Sequence, residues 1–158
     1  MNLFEVRKIL NVDNITLDTV VGWMYEWWGK EEGYTIDEVR CYMIHSFQSD
    51  RLPQTFGVFK EEKIVGIYQI SYDDLSIRPD IYPWVCNVYV DEKFRGNGIC
   101  KLMMETVYNN AKALGIKELY IFTKHCGLYE KYGWVFVDSI DTYSKYPRIQ
   151  RLYKLNID

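Results

Sequence analysis

The sequence contains no long apolar segment, and this absence excludes one class of protein at the start. No run of about 18 apolar residues occurs, so a transmembrane helix is not predicted. The first ten residues include charges and lack a continuous apolar stretch, which argues against a secretory signal peptide. From these absences we predict a cytoplasmic protein that does not act on a membrane.

An excess of positive charge is also missing. Nineteen Lys and Arg residues stand against 22 Asp and Glu residues, so the net charge is −3 at pH 7. Without a basic field, the chain has little that would hold the phosphate backbone of DNA or RNA. We therefore predict no nucleic-acid partner.

Residues that bind metals are few and poorly spaced. The chain has two histidines, His45 and His125, and four cysteines with no C-x-x-C pair among them. The adjacent His125 and Cys126 are a poor start for a tetrahedral zinc site. The sequence therefore predicts no metal site, and the cysteines are predicted to be free thiols in or near the core.

The length and the apolar patterns predict one α/β domain over residues 1–158. No linker, repeat or low-complexity tract divides the chain. The predicted order is β-α-α-β-β-β-α-β-α-β-β, with a mixed, mostly antiparallel central sheet flanked by helices. The predicted strands are 4–10, 55–59, 64–71, 84–90, 118–123, 134–140 and 149–155, and the predicted helices are 14–28, 35–47, 99–114 and 128–132. Asn14 or Thr16 is expected to cap the first helix, and strand 84–90 is expected to be covered on both faces.

The most informative segment joins the strand 84–90 to the helix 99–114. A short turn with Arg95, Gly96 and Gly98 precedes the helix, and Lys101 lies in the first helical turn. Such a turn directs backbone N–H groups and the positive end of the helix towards one point, which suits a phosphate group. Glycine permits close approach of that phosphate to the backbone. The alternative is an ordinary strand-turn-helix connection in which glycine serves only the turn.

Two well-known phosphate motifs do not fit this segment. A dinucleotide fingerprint would need a third glycine at position 101, which is Lys, and no Walker Lys-Ser/Thr pair follows Gly98. The run Arg95-Gly96-Asn97-Gly98-Ile99-Cys100 instead resembles the acetyl-CoA loop (Gln/Arg)-x-x-Gly-x-(Gly/Ala) of the GNAT N-acetyltransferase superfamily. Downstream, the run 128–134, Leu-Tyr-Glu-Lys-Tyr-Gly-Trp, resembles the second signature of that superfamily. The order and separation of the two motifs also match.

The resemblance implies a fold, a co-substrate and a set of site residues. It implies the GNAT fold, with acetyl-CoA as co-substrate and a small-molecule amine or a peptide amine as acceptor. The pyrophosphate would be held by the loop, and the pantetheine arm would pair with the backbone near Val88 and Val90. Backbone N–H groups near Asn87 and Val88 would stabilise the oxyanion. The implied pyrophosphate-binding residues are Arg95, Gly96, Asn97, Gly98, Ile99, Cys100 and Lys101.

Tyr129 matches the tyrosine that often protonates the departing CoA thiolate in this superfamily. A phenol with a pKa near 10 and a thiolate near 8.5 are suitably matched for brief proton donation. We expect its hydroxyl to be partly exposed. The alternative is that Tyr129, one of 14 tyrosines, serves only packing.

The sequence departs from the superfamily pattern at two places. Cys100 replaces the usual Gly or Ala, and because Cys is small we expect the backbone path to persist. An Asn that often contacts pantetheine is missing from the run 122–127, where Thr123 or His125 would have to replace it. A solvent-facing loop position for His125 is the favoured alternative to catalysis. Cys100 as an acyl-carrying nucleophile is disfavoured, because no acid or His partner is identifiable.

The first two predicted helices are expected to border the acceptor. This region interleaves aromatic residues with carboxylates, a combination that suits a cationic amine. The residues are Trp23, Trp27, Trp28 and Tyr34, with Glu26, Glu31, Glu32, Asp37 and Glu38. A solvated helix face with core tryptophans explains the pattern equally well. The acceptor and the general base therefore stay open at this stage.

Two functions follow from the sequence. The leading one is transfer of an acetyl group from acetyl-CoA to a primary amine by direct attack. The alternative is a non-catalytic GNAT module that binds acyl-CoA as a sensor or as a partner subunit. A homodimer is compatible with both.

Overall fold

The computed structural model describes residues 3–158. Within it the chain forms two compact units. The first contains the residues up to Ile70 together with Asn87–Cys100, and the second contains Ser71–Cys86 and Lys101–Asp158. The prediction of a single domain over 1–158 stays a prediction.

The elements follow the predicted order. The strands are β1 Glu5–Ile9, β2 Gln54–Lys60, β3 Lys63–Ser71, β4 Trp84–Val90, β5 Glu118–Thr123, β6 Val135–Asp141 and β7 Ile149–Asn156. The helices are α1 Asn14–Met24, α2 Ile36–Ile44 and α3 Ile99–Ala113, with 3₁₀ turns at Glu92–Phe94 and Tyr129–Tyr132 and a π-helical turn at Tyr25–Gly29. The sheet has seven strands in the order β1-β2-β3-β4-β5-β7-β6.

Antiparallel pairing dominates, as predicted. β1 pairs with β2, β2 with β3, β5 with β7 and β6 with β7 in antiparallel ladders, whereas β4 and β5 are parallel. The predicted α/β fold with a mixed, mostly antiparallel sheet is therefore confirmed. None of the helices in the described chain is long and apolar enough to cross a membrane.

The predicted strands 55–59 and 64–71 left four residues between them, and the observed hairpin between β2 and β3 is tighter. Lys60 pairs with Lys63, so only Glu61 and Glu62 form the loop, and Glu61 has a φ of 55°. A two-residue loop of this kind requires positive φ because the strands twist to the right. Inside β2, Gly57 lies against the rings and methyl groups of Phe59 and Ile9, where an added Cβ would come within 2.9 Å of both.

The start and end of α1 differ from the prediction. Asp13 caps the helix by accepting a hydrogen bond of 2.7 Å from the Thr16 N–H, so neither Asn14 nor Thr16 is the cap. Asp is as good a cap as Asn, and the two side chains cannot be ranked by type alone. After Met24 the helix widens into the π-helical turn, which carries Trp27 and Trp28.

Helix α2 begins with a capping box. Thr35 accepts a hydrogen bond from the Glu38 N–H at 3.1 Å, and the Glu38 carboxylate accepts one from the Thr35 N–H at 2.7 Å. The helix ends at Ile44, three residues before the predicted end. Together α1 and α2 cover one core cluster of the first unit, formed by Ile9, Val20, Val21, Met24, Val39, Met43, Phe59, Ile64 and Ile67.

Strand β4 is less covered than the sequence indicated. Trp84, Val85 and Cys86 are buried, but the four residues from Asn87 to Val90 are only half-buried. The prediction of a strand covered on both faces is therefore wrong for its second half. The change occurs at Asn87, whose φ is 51°. This interruption of the extended conformation, in a continuous chain, is called the backbone break in β4 here. A left-handed residue leaves the regular ladder, so the strand does not continue as one flat ribbon.

Candidate functional site

The turn that follows β4 has the backbone of a ligand cradle. A 3₁₀ turn at Glu92–Phe94 leads into Gly96 and Gly98, whose φ angles are 82° and 78°. Only glycine adopts such angles without strain, so these two positions explain why the loop is glycine-rich. Helix α3 begins directly afterwards at Ile99. The first N–H groups of a helix have no carbonyl acceptors within the helix. The turn is therefore followed by backbone N–H groups that can donate hydrogen bonds to a ligand.

The space next to both glycines is open. A Cβ atom built at Gly96 or at Gly98 would meet no other atom within 4 Å. The glycines are therefore not required by neighbouring protein atoms. The open space, the helix start and the positive φ angles together fit an anionic group held by backbone N–H donors.

Two side chains of the loop bond to the protein itself. Asn97 donates a hydrogen bond of 2.8 Å to the Phe94 carbonyl, which closes the turn. Arg95 donates from Nε to the Val90 carbonyl at 2.9 Å, and its guanidinium lies 5.5 Å from the ring centre of Tyr89. Arg95 thus ties the loop to the end of β4, in addition to supplying positive charge there.

The remaining predicted cofactor residues fall on the expected elements. Val88 and Val90 lie in the half-buried end of β4, Cys100 is half-buried in the first turn of α3, and Ile99 is buried. Lys101 is exposed on the same helix. The first unit thus groups residues 95–100 with the end of β4. Their role in cofactor binding stays a prediction.

Tyr129 lies in the second unit and is buried, with 5% of its surface exposed. Its ring centre is 6.0 Å from that of Trp134 and 6.2 Å from that of Tyr153. The expected partly exposed phenol is therefore wrong. Both rings pack near Tyr129, and of the two Tyr153, on β7, is distant in sequence.

The residue after Tyr129 is held by a short chain of hydrogen bonds. Arg151 Nε donates to the Tyr153 hydroxyl at 2.7 Å, and that hydroxyl donates to the Glu130 carboxylate at 3.0 Å. Desolvation raises the pKa of Glu130, but bonds from its own N–H, from Tyr153 and from the Gly127 N–H together lower it below its ordinary value. The carboxylate therefore stays charged, and it fixes the turn that carries Tyr129.

The segment that lacks the superfamily Asn forms a local turn. The Thr123 hydroxyl accepts a hydrogen bond of 3.1 Å from the His125 N–H. The side chain of His125 is exposed, in agreement with a solvent-facing loop position. Thr123 is 8% exposed and holds the turn by itself.

The region that was expected to border the acceptor contributes, together with Tyr89 on β4, two groups of contacting rings, which are together called the aromatic cluster here. Its members are Trp23, Trp27, Trp28, Tyr34, Tyr42 and Tyr89. Tyr89 stacks on Trp23 at 5.0 Å, and Trp28 meets both Tyr34 and Tyr42 edge to face. Trp27, Tyr34 and Tyr42 remain 40–48% exposed. The tryptophans are thus not all core residues.

The carboxylates of this region are partly engaged. Glu26 forms an ion pair of 2.8 Å with Lys30, and Glu38 belongs to the capping box of α2. Glu31, Glu32 and Asp37 are exposed.

Cysteine placement corrects one expectation. Cys86 is buried, and burial, followed by the charges of Asp74 and Asp73, raises the pKa of its thiol well above the ordinary value. Cys41 and Cys126 are exposed, so the expectation of thiols in or near the core is wrong for them. The four cysteines are free thiols. Over residues 3–158, no group of three or more His, Cys, Asp or Glu side chains is placed to hold a metal ion.

Comparison with protein families completes this picture. The model of the acetyltransferase (GNAT) family matches residues 18–134, which include the loop, the aromatic cluster and Tyr129. The chain belongs to the GNAT acetyltransferase family. The resemblance inferred from the two motifs is therefore confirmed. Comparison with curated protein sequences gives no significant match.

Solved GNAT structures share the fold over the whole chain. An aminoglycoside 6′-N-acetyltransferase complexed with coenzyme A has a TM-score of 0.76 at 11% identity, covering 98% of this chain and 97% of that chain. A GNAT acetyltransferase from Elizabethkingia anophelis with acetyl-CoA bound has a TM-score of 0.69 at 18% identity, covering 99% and 100%. An acetyltransferase from Salmonella typhimurium that modifies the N-terminal serine of ribosomal protein L7/L12 has a TM-score of 0.72 at 14% identity, covering 100% and 97%.

The sequence did not predict the left-handed backbone at Asn87. The resemblance implied only that backbone N–H groups near Asn87 stabilise the oxyanion, within a strand that was expected to be covered on both faces. The one available signal was the residue type, because Asn tolerates a left-handed backbone better than most residues.

Proposed function

We propose that this GNAT chain transfers the acetyl group of acetyl-CoA to the nitrogen of a primary amine. The observation that carries the proposal is the turn 95–101 between β4 and α3. It combines two glycines of positive φ, open space beside both and the start of a helix. These features suit the pyrophosphate of CoA. The relatives with CoA or acetyl-CoA bound support the same choice of co-substrate.

In this proposal the chain binds the pyrophosphate, orients the pantetheine arm and protonates the departing thiolate. The loop 95–101 binds the pyrophosphate, and the backbone near Val88 and Val90 aligns the pantetheine arm. The amine nitrogen forms a bond to the thioester carbonyl carbon, the C–S bond breaks, and the Tyr129 hydroxyl gives its proton to the departing thiolate. Water takes the proton that the amine loses.

The proposed acceptor is a cationic amine. The exposed rings of the aromatic cluster offer cation–π contact, and Glu31 and Glu32 add negative charge on the same segment. The relatives named above include one enzyme for aminoglycosides and one for a protein N-terminus, so both small and peptide amines belong in the test. Action in the cytoplasm belongs to this proposal.

One experiment tests the proposal and its alternative together. Release of free thiol from acetyl-CoA is followed with polyamines, aminoglycosides, amino acids and peptides, and CoA binding is measured by calorimetry. We expect binding together with thiol release in the presence of at least one cationic amine. Binding without release for every amine would favour the non-catalytic acyl-CoA module. No binding at millimolar CoA would contradict both.

A further inference from the structure

The backbone break in β4 is held by side chains from three other elements. Asn87 accepts a hydrogen bond of 3.1 Å from the indole N–H of Trp28, which lies on the π-helical turn. Its amide donates at 2.6 Å to Gln69 on β3 and at 3.1 Å to the hydroxyl of Tyr42 on α2. All these residues belong to the first unit.

The direction of each of these hydrogen bonds is determined. The Thr55 hydroxyl donates its one proton to the Ser46 carbonyl at 2.8 Å, so its oxygen accepts from Gln69 Nε2 at 3.0 Å. The carbonyl oxygen of Gln69 therefore points at Asn87. An indole N–H can only donate, which fixes the oxygen of Asn87 towards Trp28. The amide of Asn87 consequently has one orientation.

The presence of asparagine at position 87 is informative, because glycine would adopt this positive φ with less strain. A φ of 51° costs energy for any residue with a Cβ, although Asn tolerates it better than most. An asparagine that keeps this angle inside a strand must offset the strain with its side-chain bonds. Its three side-chain hydrogen bonds, to Trp28, Tyr42 and Gln69, are what asparagine adds over glycine. Gln69, which anchors them, is fully buried.

From this geometry we infer that Asn87 is a positioning residue for acetyl transfer. Its side chain, clamped by Trp28, Tyr42 and Gln69, fixes the backbone break in β4 and so the direction of the N–H groups that follow it. The inference rests on the proposed function, in which the thioester lies along this end of β4. A donor that stabilises an oxyanion must be aimed before reaction, since a displacement of about 1 Å can cost about 10²-fold in rate.

The test separates backbone conformation from side-chain clamping. Asn87→Gly keeps the positive φ and removes all three hydrogen bonds, and Trp28→Phe removes the indole donor together with part of the Trp28 ring, which packs against Tyr34 and Tyr42. We expect Asn87→Gly to lower kcat by about 10- to 100-fold, with the KM for acetyl-CoA and the CoA affinity changed less than about threefold. Trp28→Phe should lower kcat less, in the same direction. The matched control is Glu61→Gly, which relieves a φ of 55° in the β2–β3 loop and should leave kcat unchanged.

Each result has a defined meaning. An active wild type with an Asn87→Gly kcat within about twofold would overturn the inference, as would a loss of thermal stability that accounts for the whole loss of activity. A wild type that releases no thiol with any amine would count against the proposed function instead. In that case the amide NMR signal of Val88 decides. A larger shift with acetyl-CoA than with CoA in the wild type, lost in Asn87→Gly, supports positioning, and equal shifts in both proteins overturn it.

Discussion

The ring of Tyr129 packs against two other rings. This packing determines which substitution can test the chemical role of its hydroxyl. Trp134 and Tyr153 lie near the ring, and the side chain is buried. Removing the ring would leave a cavity, and large-to-small changes in a core cost about 3–5 kcal/mol. Phenylalanine keeps the ring and removes only the proton donor. It is therefore the change that isolates chemistry from packing.

We predict that Tyr129→Phe lowers kcat by about 10²–10⁴-fold while the KM for acetyl-CoA changes little. Steady-state thiol release at saturating substrates measures this. Single-turnover kinetics confirm that chemistry, and not product release, is being followed. Tyr132→Phe in the same 3₁₀ turn is the control and should keep normal kcat. A near-normal kcat for Tyr129→Phe would reject the role as general acid, and a rise in KM alone would indicate an anchoring role.

A second residue-scale prediction concerns the loop. Gly98→Asp should abolish CoA binding, because the carboxylate would enter the space proposed for the pyrophosphate. Gly98→Asn has the same shape without the charge and should bind more strongly than the Asp variant, though still more weakly than wild type. Calorimetry with CoA gives both affinities.

The control for this loop prediction uses a glycine at the other end of the same helix. Gly115 also has a positive φ, 74°, and open space at its Cβ position. Gly115→Asp should therefore strain the backbone similarly but leave CoA affinity unchanged. Wild-type affinity in Gly98→Asp would mean that the loop does not hold the pyrophosphate.

At the scale of secondary structure, the helix ends are fixed by local side chains. Asp13 caps α1, and the reciprocal bonds of Thr35 and Glu38 begin α2. These caps satisfy N–H groups that a helix cannot satisfy itself. Because α2 carries Tyr42, its start also sets the position of one member of the aromatic cluster.

We predict that Thr35→Ala lowers the free energy of unfolding by about 1 kcal/mol, since the capping bond to the Glu38 N–H is lost. Urea denaturation measures the change. Thr35→Ser keeps a hydroxyl and should stay within about 0.5 kcal/mol of wild type. Equal stabilities of all three proteins would show that the box is not energetically important in this chain.

At the scale of the whole molecule, the carboxylates decide the response to acid. Hydrogen bonds from Arg148 lower the pKa of Asp141, and bonds from Lys154 and then Tyr120 lower that of Glu118. The pKa of Asp13 is lowered by the Thr16 N–H, and that of Asp80 by Arg78. Each of these groups binds its proton less readily in the folded chain than in the unfolded chain.

The sign of the pH dependence follows from this difference. A carboxylate with a lowered folded pKa contributes stability above its unfolded pKa, about 3.9 for Asp and 4.3 for Glu. That contribution is lost as the pH falls through the folded pKa. We predict that the urea midpoint is constant from pH 7 to about 5 and declines steadily below about pH 4.5. Asp141→Asn should show a shallower decline, and a midpoint that rises on acidification would contradict the prediction.

The two GNAT motifs and the order of elements were readable from the sequence because they depend on local patterns. Three of these patterns involve only residues that are close together in the chain. They are the glycines at 96 and 98, the apolar face of α3 and the capping box at Thr35. The same local signals predicted β4 and β5 with their observed bounds. Such features need no knowledge of distant partners.

Contacts between segments that are far apart in the chain determine the features that the sequence did not predict. Tyr153 packs against Tyr129 from β7, and Asn87, with its left-handed backbone, forms hydrogen bonds with Trp28, Tyr42 and Gln69 on other elements. The exposure of Cys41 likewise depends on which side of α2 faces the core. The sequence by itself determined the family, the fold class and the glycine-containing turn before α3, since these depend on neighbouring residues. Only the tertiary structure determined which side chains are buried and which strained backbone conformation is stabilised by side-chain hydrogen bonds. Both depend on partners that are far apart in the chain.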